Sequence, residues 1–87
     1  MVTQPALTKT VTIQYVAMLR EQAQRSSEEF QTDAATYLEL YQQVQMRYGF
    51  ALAATDIKVA VNHEFCAVSQ PLVDQALVIF IPPVCGG

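Results

Sequence analysis

The strongest constraint on the fold lies near the end of the chain, where five apolar residues run directly into two prolines. The segment LVIFI, residues 77–81, is apolar at every position, which predicts a strand that lies centrally in a sheet. Pro82 and Pro83 end this strand, because proline fixes φ and has no amide hydrogen to donate to a ladder. The sheet is therefore expected to be organised around its last strand, with residues 82–87 projecting as an extended functional tail.

The tail ends in Gly86 and Gly87. Two glycines form a backbone without side chains, slim enough to enter a narrow channel and place a main-chain carboxylate against a reactive centre. The α-carboxylate of Gly87 is therefore the candidate functional group, and Gly86 gives it clearance. The alternative interpretation is a frayed terminus, which is common at chain ends.

Composition limits the classes of partner. The chain has 87 residues, enough for one domain, and its 52 % hydrophobic content supplies a core. It lacks an apolar run of about 18 residues, so no membrane contact is expected. Its net charge is −3 and its five Lys and Arg residues are scattered, so nucleic acid is not an expected partner.

The cysteines and the single histidine do not form a recognisable site. Cys66 and Cys85 are too few for a disulfide framework, and with His63 they do not match the spacing of a zinc site. Reduced thiols, a cytoplasmic location and no bound metal or cofactor are expected. Residues 1–9 carry no secretory signal pattern and are predicted to form a flexible extension.

The first half of the chain predicts a strand, a short helix or turn, and a second strand. From Thr10 onward, alternation places Val11, Ile13 and Tyr15 on one face and Val16 on the other. Residues 19–24 are polar helix formers that lead into two serines. The following SEEFQT segment has little apolar content, which favours an antiparallel strand at the edge of the sheet.

The clearest helix follows Thr36, which stands in a T-x-x-E relation to Glu39 and is the predicted N-cap. Gly49 is the predicted stop. One apolar stripe recurs at helical spacing, formed by Tyr37, Leu40, Tyr41, Val44 and Tyr48. We interpret its tyrosines as core packing and not as a stacking surface for bases or a cofactor.

Two further strands form a predicted hairpin. In DIKVAV, residues Val59 and Val61 point inward, and Asn62 to Glu64 form the turn into FCAV. The resulting order predicts an α+β fold over residues 10–81, a β-grasp (ubiquitin-like) mixed sheet with one long helix packed across it. Its first and last strands pair in parallel at the centre.

Conventional catalytic patterns are missing from the sequence. It has no nucleophile elbow, no phosphate-binding glycine loop and no metal-ligand spacing. Glu28 and Glu29 are neighbours in a strand, so they point to opposite faces and cannot share a substrate. We expect a carrier without catalytic activity of its own. Its terminal carboxylate would react only after a nucleotide-dependent partner converts it into an acyl adenylate.

The motifs resemble a known family. VTIQYVAMLRE, AVNHEF, QPLVDQALVIF and PPVCGG look like the small subunit of molybdopterin synthase (the MoaD family), a ubiquitin-like sulfur carrier, over residues 10–87. The resemblance implies that a ubiquitin-activating-type enzyme uses ATP to adenylate Gly87. Gly87 would become a thiocarboxylate and enter the active site of the large synthase subunit. There it would donate sulfur to cyclic pyranopterin monophosphate, in an assembly that the family suggests is a heterotetramer.

The resemblance also implies a binding surface for the large subunit, made of an apolar sheet face and the threaded tail. By position in the motifs, this surface falls on Val16, Phe65, Ile81, Pro82, Pro83, Val84 and Cys85. Strand alternation independently puts Val16 and Ile81 on one face. The alternative is a second, minor core under a loop.

Two departures from the family pattern stand out. Asp74, Gln75 and Ala76 replace a DGD-like turn, which puts the tightness of that loop in doubt. Cys85 stands where a small residue is common. Its thiol is interpreted as tolerated in the tail channel, with capture of the activated acyl group as the alternative.

Other functions fit the same features. The chain could carry sulfur for thiamine thiazole synthesis or tRNA thiolation, or act as a ubiquitin-like protein modifier. It could also be an interaction module whose apolar face binds a partner and whose tail is incidental.

Overall fold

A mixed five-stranded sheet and two helices make up residues 8–83, the part of the chain that the computed structural model describes. The elements in chain order are β1 (Lys9–Tyr15), α1 (Ala17–Ala23), β2 (Ser27–Thr32), α2 (Tyr37–Tyr48), a 3-10 turn (Ala54–Asp56), β3 (Lys58–Val61), β4 (Glu64–Cys66) and β5 (Leu77–Ile81). The α+β, β-grasp prediction is confirmed. β1 begins at Lys9, one residue before its predicted start.

β5 lies at the centre of the sheet, whose order is β2-β1-β5-β3-β4. It pairs in parallel with β1, where Tyr15 lies opposite Phe80, and antiparallel with β3, where Ile81 lies opposite Lys58. β2 pairs antiparallel with β1 at one edge, as its polar sequence predicts. A strand that is apolar on both faces takes the centre of a sheet, because a neighbouring strand on each edge then shelters its side chains.

The prediction of one long helix needs correction, because residues 8–83 contain a second helix, α1. It begins at Ala17, two residues before the predicted short helix or turn, and ends at Ala23. Gln24 caps it in a left-handed conformation with φ 61°. Leu19 and Ala23, four residues apart, are its buried residues. Two apolar positions are too few to form a stripe that periodicity can detect.

α2 has the predicted caps. The Thr36 hydroxyl accepts a hydrogen bond from the Glu39 amide at 3.2 Å. The Glu39 carboxylate accepts from the amide of Ala35 at 3.0 Å, one residue earlier than a standard capping box requires. Gly49 ends the helix with φ 72°, a conformation that glycine adopts without steric cost.

The core lies between the helices and one face of the sheet. Tyr37, Leu40, Tyr41 and Val44 of α2 are fully buried, which confirms their packing role. The Tyr41 and Phe80 rings meet edge to face with 5.2 Å between their centroids, and the Tyr15 and Phe50 rings do so at 5.8 Å.

The β3–β4 hairpin turns on two residues, not the three predicted. Asn62 and His63 both have positive φ, 51° and 74°, which is the signature of a type I′ turn. Glu64 belongs to β4. His63 is exposed in this turn, as expected for a residue of a hairpin turn.

The loop before β5 closes tightly without a glycine. Its Asp74 carboxylate accepts a hydrogen bond from the Thr10 amide at 2.8 Å, and the Thr10 carbonyl accepts one from the Gln75 amide at 2.7 Å. Gln75 takes the left-handed conformation with φ 69°. These contacts fix the entry of β5 against the start of β1.

Replacement of the α2 cap tests this reading of the helix. Thr36→Ala removes the hydroxyl that accepts from Glu39, and we expect the free energy of unfolding to fall by about 1 kcal/mol. Urea denaturation followed by circular dichroism measures the change. Gln42→Ala, at an exposed site on the same helix, should change stability by less than about 0.5 kcal/mol. Equal effects of the two variants would contradict the capping role.

Candidate functional site

Strand parity divides the sheet into a core face and a face without helices. Val11, Ile13 and Tyr15 of β1 and Val78 and Phe80 of β5 pack into the core. The intervening residues therefore point to the opposite face. On that face Gln14 lies opposite Ile79, Ile79 opposite Ala60, and Ala60 opposite Phe65, in one row across four strands.

Half of this face is apolar. We call this half the apolar patch. It consists of Val16, Ala60, Phe65, Leu77, Ile79 and Ile81. Phe65 is 70 % exposed, although it is a large hydrophobic side chain. An exposed apolar surface of this kind on a small domain is typical of a protein interface.

The patch brings together the three domain residues that the sequence singled out. Tyr15 and Phe80 are register partners, and Val16 and Ile81 directly follow them, so both lie at the same end of the sheet. Both are half-buried, whereas Phe65 lies on the edge strand β4. The site predicted from the sequence did not include Ala60, Leu77 and Ile79. Alternation in LVIFI was the signal for the last two, whereas Ala60 required the sheet register.

The other half of the face is polar. β1 contributes Thr10, Thr12 and Gln14, and β2 contributes Ser27, Glu29 and Gln31, which pair with them in register. The apolar surface therefore stops at the boundary between β5 and β1, except at Val16. The apolar half is therefore the half of the sheet that contains β5, the strand that leads into the tail.

The tail leaves the sheet beside the patch. Pro82 is half-buried and Pro83 is exposed, and both follow Ile81 at the end of β5. An open groove of about 760 Å³ lies at the same end of the sheet, lined by Ile57, Lys58, Phe65, Cys66, Ala67 and Val68. The predicted site residues Val84, Cys85, Gly86 and Gly87 lie outside the described residues.

A half-buried carboxylate fixes the end of β1 that carries Val16. Glu28 accepts hydrogen bonds from the Tyr15 hydroxyl at 2.7 Å and from the Tyr48 hydroxyl at 2.6 Å. Arg25 forms an ion pair with the same carboxylate at 3.0 Å. Three elements of the fold, β1, β2 and α2, therefore meet at Glu28.

The electrostatics of this cluster favour the ionised carboxylate. Burial alone would raise the pKa of Glu28, but donation from Tyr15 and Tyr48 and the positive charges of Arg25 and Arg47 lower it below its ordinary value. Burial and the hydrogen bond to Glu28 raise the pKa of both tyrosines. Glu28 therefore has a structural role that sequence reasoning missed, because Tyr48 is twenty residues away in the chain.

The described residues offer little other chemistry. Over residues 8–83, no group of three or more His, Cys, Asp or Glu side chains is placed to bind a metal ion. No helix in this range is long and apolar enough to cross a membrane. The apolar patch and the tail that follows it are the arrangement with a functional interpretation.

Comparison with protein families shows the family to which this chain belongs. The ThiS family model matches residues 13–87, which is most of the chain. The chain belongs to the ThiS family. It is a ubiquitin-like sulfur carrier of the ThiS and MoaD kind, which confirms the resemblance in its motifs. A search of curated protein sequences gave no significant match.

Solved structures share the fold of this ThiS-family chain. The putative molybdopterin converting factor subunit 1 of Pyrococcus furiosus has a TM-score of 0.71 and 24 % identity, over 87 % of this chain and 99 % of that one. Small archaeal modifier protein 1 of Haloferax volcanii has a TM-score of 0.73 and 19 % identity, over 87 % and 99 %. A chain from the complex of subunits 1 and 2 of molybdopterin-converting factor from Helicobacter pylori has a TM-score of 0.58 and 25 % identity, over 90 % and 99 %.

The role of the Glu28 cluster can be tested through the pH dependence of the free energy of unfolding. The pKa of Glu28 is lower in the folded ThiS-family chain than its ordinary value of 4.5. Its stabilising contribution is therefore present above that value and lost as the pH falls through the lowered pKa. Glu28→Gln should reduce the free energy of unfolding by about 1 to 3 kcal/mol at neutral pH.

Urea titrations at a series of pH values measure this difference. Wild type and Glu28→Gln should converge at acid pH, where the wild-type carboxyl is also neutral. Glu29→Gln is the matched control, since Glu29 is exposed on the opposite face. A gap between wild type and Glu28→Gln that does not depend on pH would contradict the ionised form of Glu28.

Proposed function

We propose that this protein is the sulfur carrier of molybdenum cofactor biosynthesis, and that the carboxylate of Gly87 carries the sulfur as a thiocarboxylate. The observation that supports this proposal is the continuity of β5. One rigid central strand bears three residues of the apolar patch, Leu77, Ile79 and Ile81, and runs directly into PPVCGG. The strand that docks the protein is therefore the strand that aims its terminus.

The proposed chemistry needs two partners. A ubiquitin-activating-type adenylyltransferase joins a Gly87 carboxylate oxygen to the α-phosphate of ATP, and pyrophosphate leaves. A sulfur nucleophile of the hydrosulfide class then attacks the acyl carbon. The carbon–sulfur bond forms as the carbon–oxygen bond to AMP breaks, and AMP carries away the electron pair. Nucleotide chemistry belongs to the partner, so the carrier itself binds no cofactor.

The second partner is the large subunit of molybdopterin synthase. The apolar patch binds it, and the tail enters its active site, where the thiocarboxylate gives sulfur to cyclic pyranopterin monophosphate. The complex of two molybdopterin-converting factor subunits from Helicobacter pylori supports a partner of this kind. We place the reaction in the cytoplasm and the assembly in a heterotetramer of two small and two large subunits.

The rigid end of β5, which forms the base of the tail, supports delivery of the tail through a narrow channel. Val78 and Phe80 are fully buried beneath the patch, so the end of β5 is held by the core. Pro82 and Pro83 then limit the directions that the chain can take. A rigid base reduces the conformational entropy lost when the tail enters the channel.

Protein modification is a second candidate, since the fold is shared with a structure described as a small archaeal modifier protein. The same activated Gly87 would then form an amide with a lysine amine of a target protein. Stable conjugates in cells, together with the absence of thiocarboxylate, would favour this function.

Intact mass spectrometry tests the carrier function. After incubation with the activating enzyme, ATP and a sulfur donor, we expect a mass gain equal to exchange of one oxygen for one sulfur. Removal of Gly87 should abolish this gain and leave the fold unchanged, because the described core cluster is built from residues between Val11 and Phe80. Sulfur incorporation into the truncated chain would overturn the role of Gly87.

A pair of exposed hydrophobic residues tests the docking surface. Phe65 of the patch is 70 % exposed, and Met46 on α2 is 85 % exposed and outside the patch. Phe65→Ala should weaken binding to the large subunit at least about tenfold, as expected for an exposed aromatic side chain that a partner buries. Met46→Ala should leave the affinity unchanged. Calorimetric titration measures both, and equal losses would contradict the assigned surface.

A further inference from the structure

Lys58 is a charged residue in an otherwise apolar surface. It lies on β3, in register with Ile81 of β5, and its neighbour Val59 points into the core. Lys58 therefore points to the same face as the apolar patch. Among the described residues of β3, β4 and β5 on this face, it is the one charged side chain.

Lys58 lies within the surface that a partner covers, not outside it. β3 separates β5 from β4. Ile81 lies beside Lys58 on one side, about 4.8 Å away in the hydrogen-bonding direction, and on the other side β4 ends at Cys66, the partner of the next residue, Val59. Lys58 also lines the groove at the end of the sheet from which the tail leaves. A partner that touches both Phe65 and Ile81 must approach the Lys58 ammonium.

No described carboxylate neutralises this ammonium within the chain. The ion pair found among residues 8–83 joins Arg25 and Glu28. Glu28 lies on the core face of β2, and Arg25 precedes that strand. Glu64 lies on the neighbouring strand β4, but it pairs with Val61 and points to the core side of the sheet. Lys58 is exposed and turned away from Glu64.

Covering this ammonium with an apolar surface is unfavourable, because a buried charge needs a partner charge or water. The long side chain can reach water at the end of the sheet where β3 begins, since Lys58 is the first residue of that strand and is exposed. The tail leaves the sheet at that same end. The ammonium therefore comes close to the mouth of the channel that receives the tail.

We propose that Lys58 selects a protein partner that carries a carboxylate beside the mouth of its tail channel. This inference rests on the proposed function, since it assigns a further determinant to the same docking surface. The partner surface that fits is apolar opposite Phe65 and Ile81 and acidic opposite Lys58. The chain as a whole has a net charge of −3, so the positive charge of Lys58 differs in sign from the average of the surface. It therefore also orients the approach of an acidic partner surface.

Three variants test the charge. Lys58→Met keeps an unbranched side chain and removes the ammonium, and Lys58→Glu reverses the charge. Lys9→Glu is the matched control, since Lys9 lies at the start of β1, at the opposite end of the sheet from Ile81. Melting temperatures establish that each variant is folded.

The first readout is binding to the recombinant large subunit of molybdopterin synthase from the same organism at several salt concentrations. We expect Lys58→Glu to weaken binding at least about tenfold, and Lys58→Met to weaken it less and to remove most of the salt dependence. Lys9→Glu should have an effect of less than about twofold. Tighter binding of Lys58→Met would overturn the proposal, because it would show an apolar partner surface opposite Lys58.

Rescue by charge exchange identifies the carboxylate. Each Asp or Glu at the channel mouth of the large subunit is replaced by Lys, and one of these variants should bind Lys58→Glu better than it binds wild type. Failure of every exchange would also overturn the proposal.

Wild-type binding separates this inference from the proposed function. If the wild-type chain does not bind the large subunit, the molybdenum cofactor assignment fails. The same variants are then compared in ATP-dependent adenylation by the activating enzyme, which also receives the tail. Equal rates for Lys58→Glu and Lys9→Glu in that assay would overturn the role of Lys58 independently.

Discussion

The fold depends on the central position of β5, a strand that is apolar on both faces. Its Val78 and Phe80 side chains are fully buried under the helices. Its Leu77, Ile79 and Ile81 side chains are half-buried on the other face, where neighbouring strands shelter them within the described part of the chain. Apolar side chains left in this state lower the free energy further when a protein partner covers them. One strand therefore contributes to both the core and the proposed docking surface.

Separation of these two roles by strand parity has a functional consequence. Successive residues of β5 point to opposite faces, so the proposed docking surface can vary in sequence with little effect on the packing of the core. The fold tolerates an exposed Phe65 and a charged Lys58 because neither contributes to the core cluster. Specificity for a partner can therefore change on a constant, stable base.

The clusters that hold this base are polar as well as apolar. Glu28 joins β1, β2 and α2 through two tyrosine hydroxyls and an arginine. Asp74 joins the loop before β5 to the start of β1. The two clusters lie at opposite ends of β1, so they fix the parallel pair β1–β5 at both its start and its end. The tail leaves from the end that Glu28 secures.

Local sequence signals by themselves determined much of the fold. The apolar LVIFI segment, the Thr36 cap, the Gly49 stop and the polar β2 strand each depend on neighbours in the chain, so their structure was predictable. Tertiary structure alone decided the partners of Glu28, the burial of Ala60, the bounds of α1 and the place of Lys58 beside Ile81. These features depend on register between strands and on contacts between residues far apart in sequence. Periodicity within one segment carries no information about either.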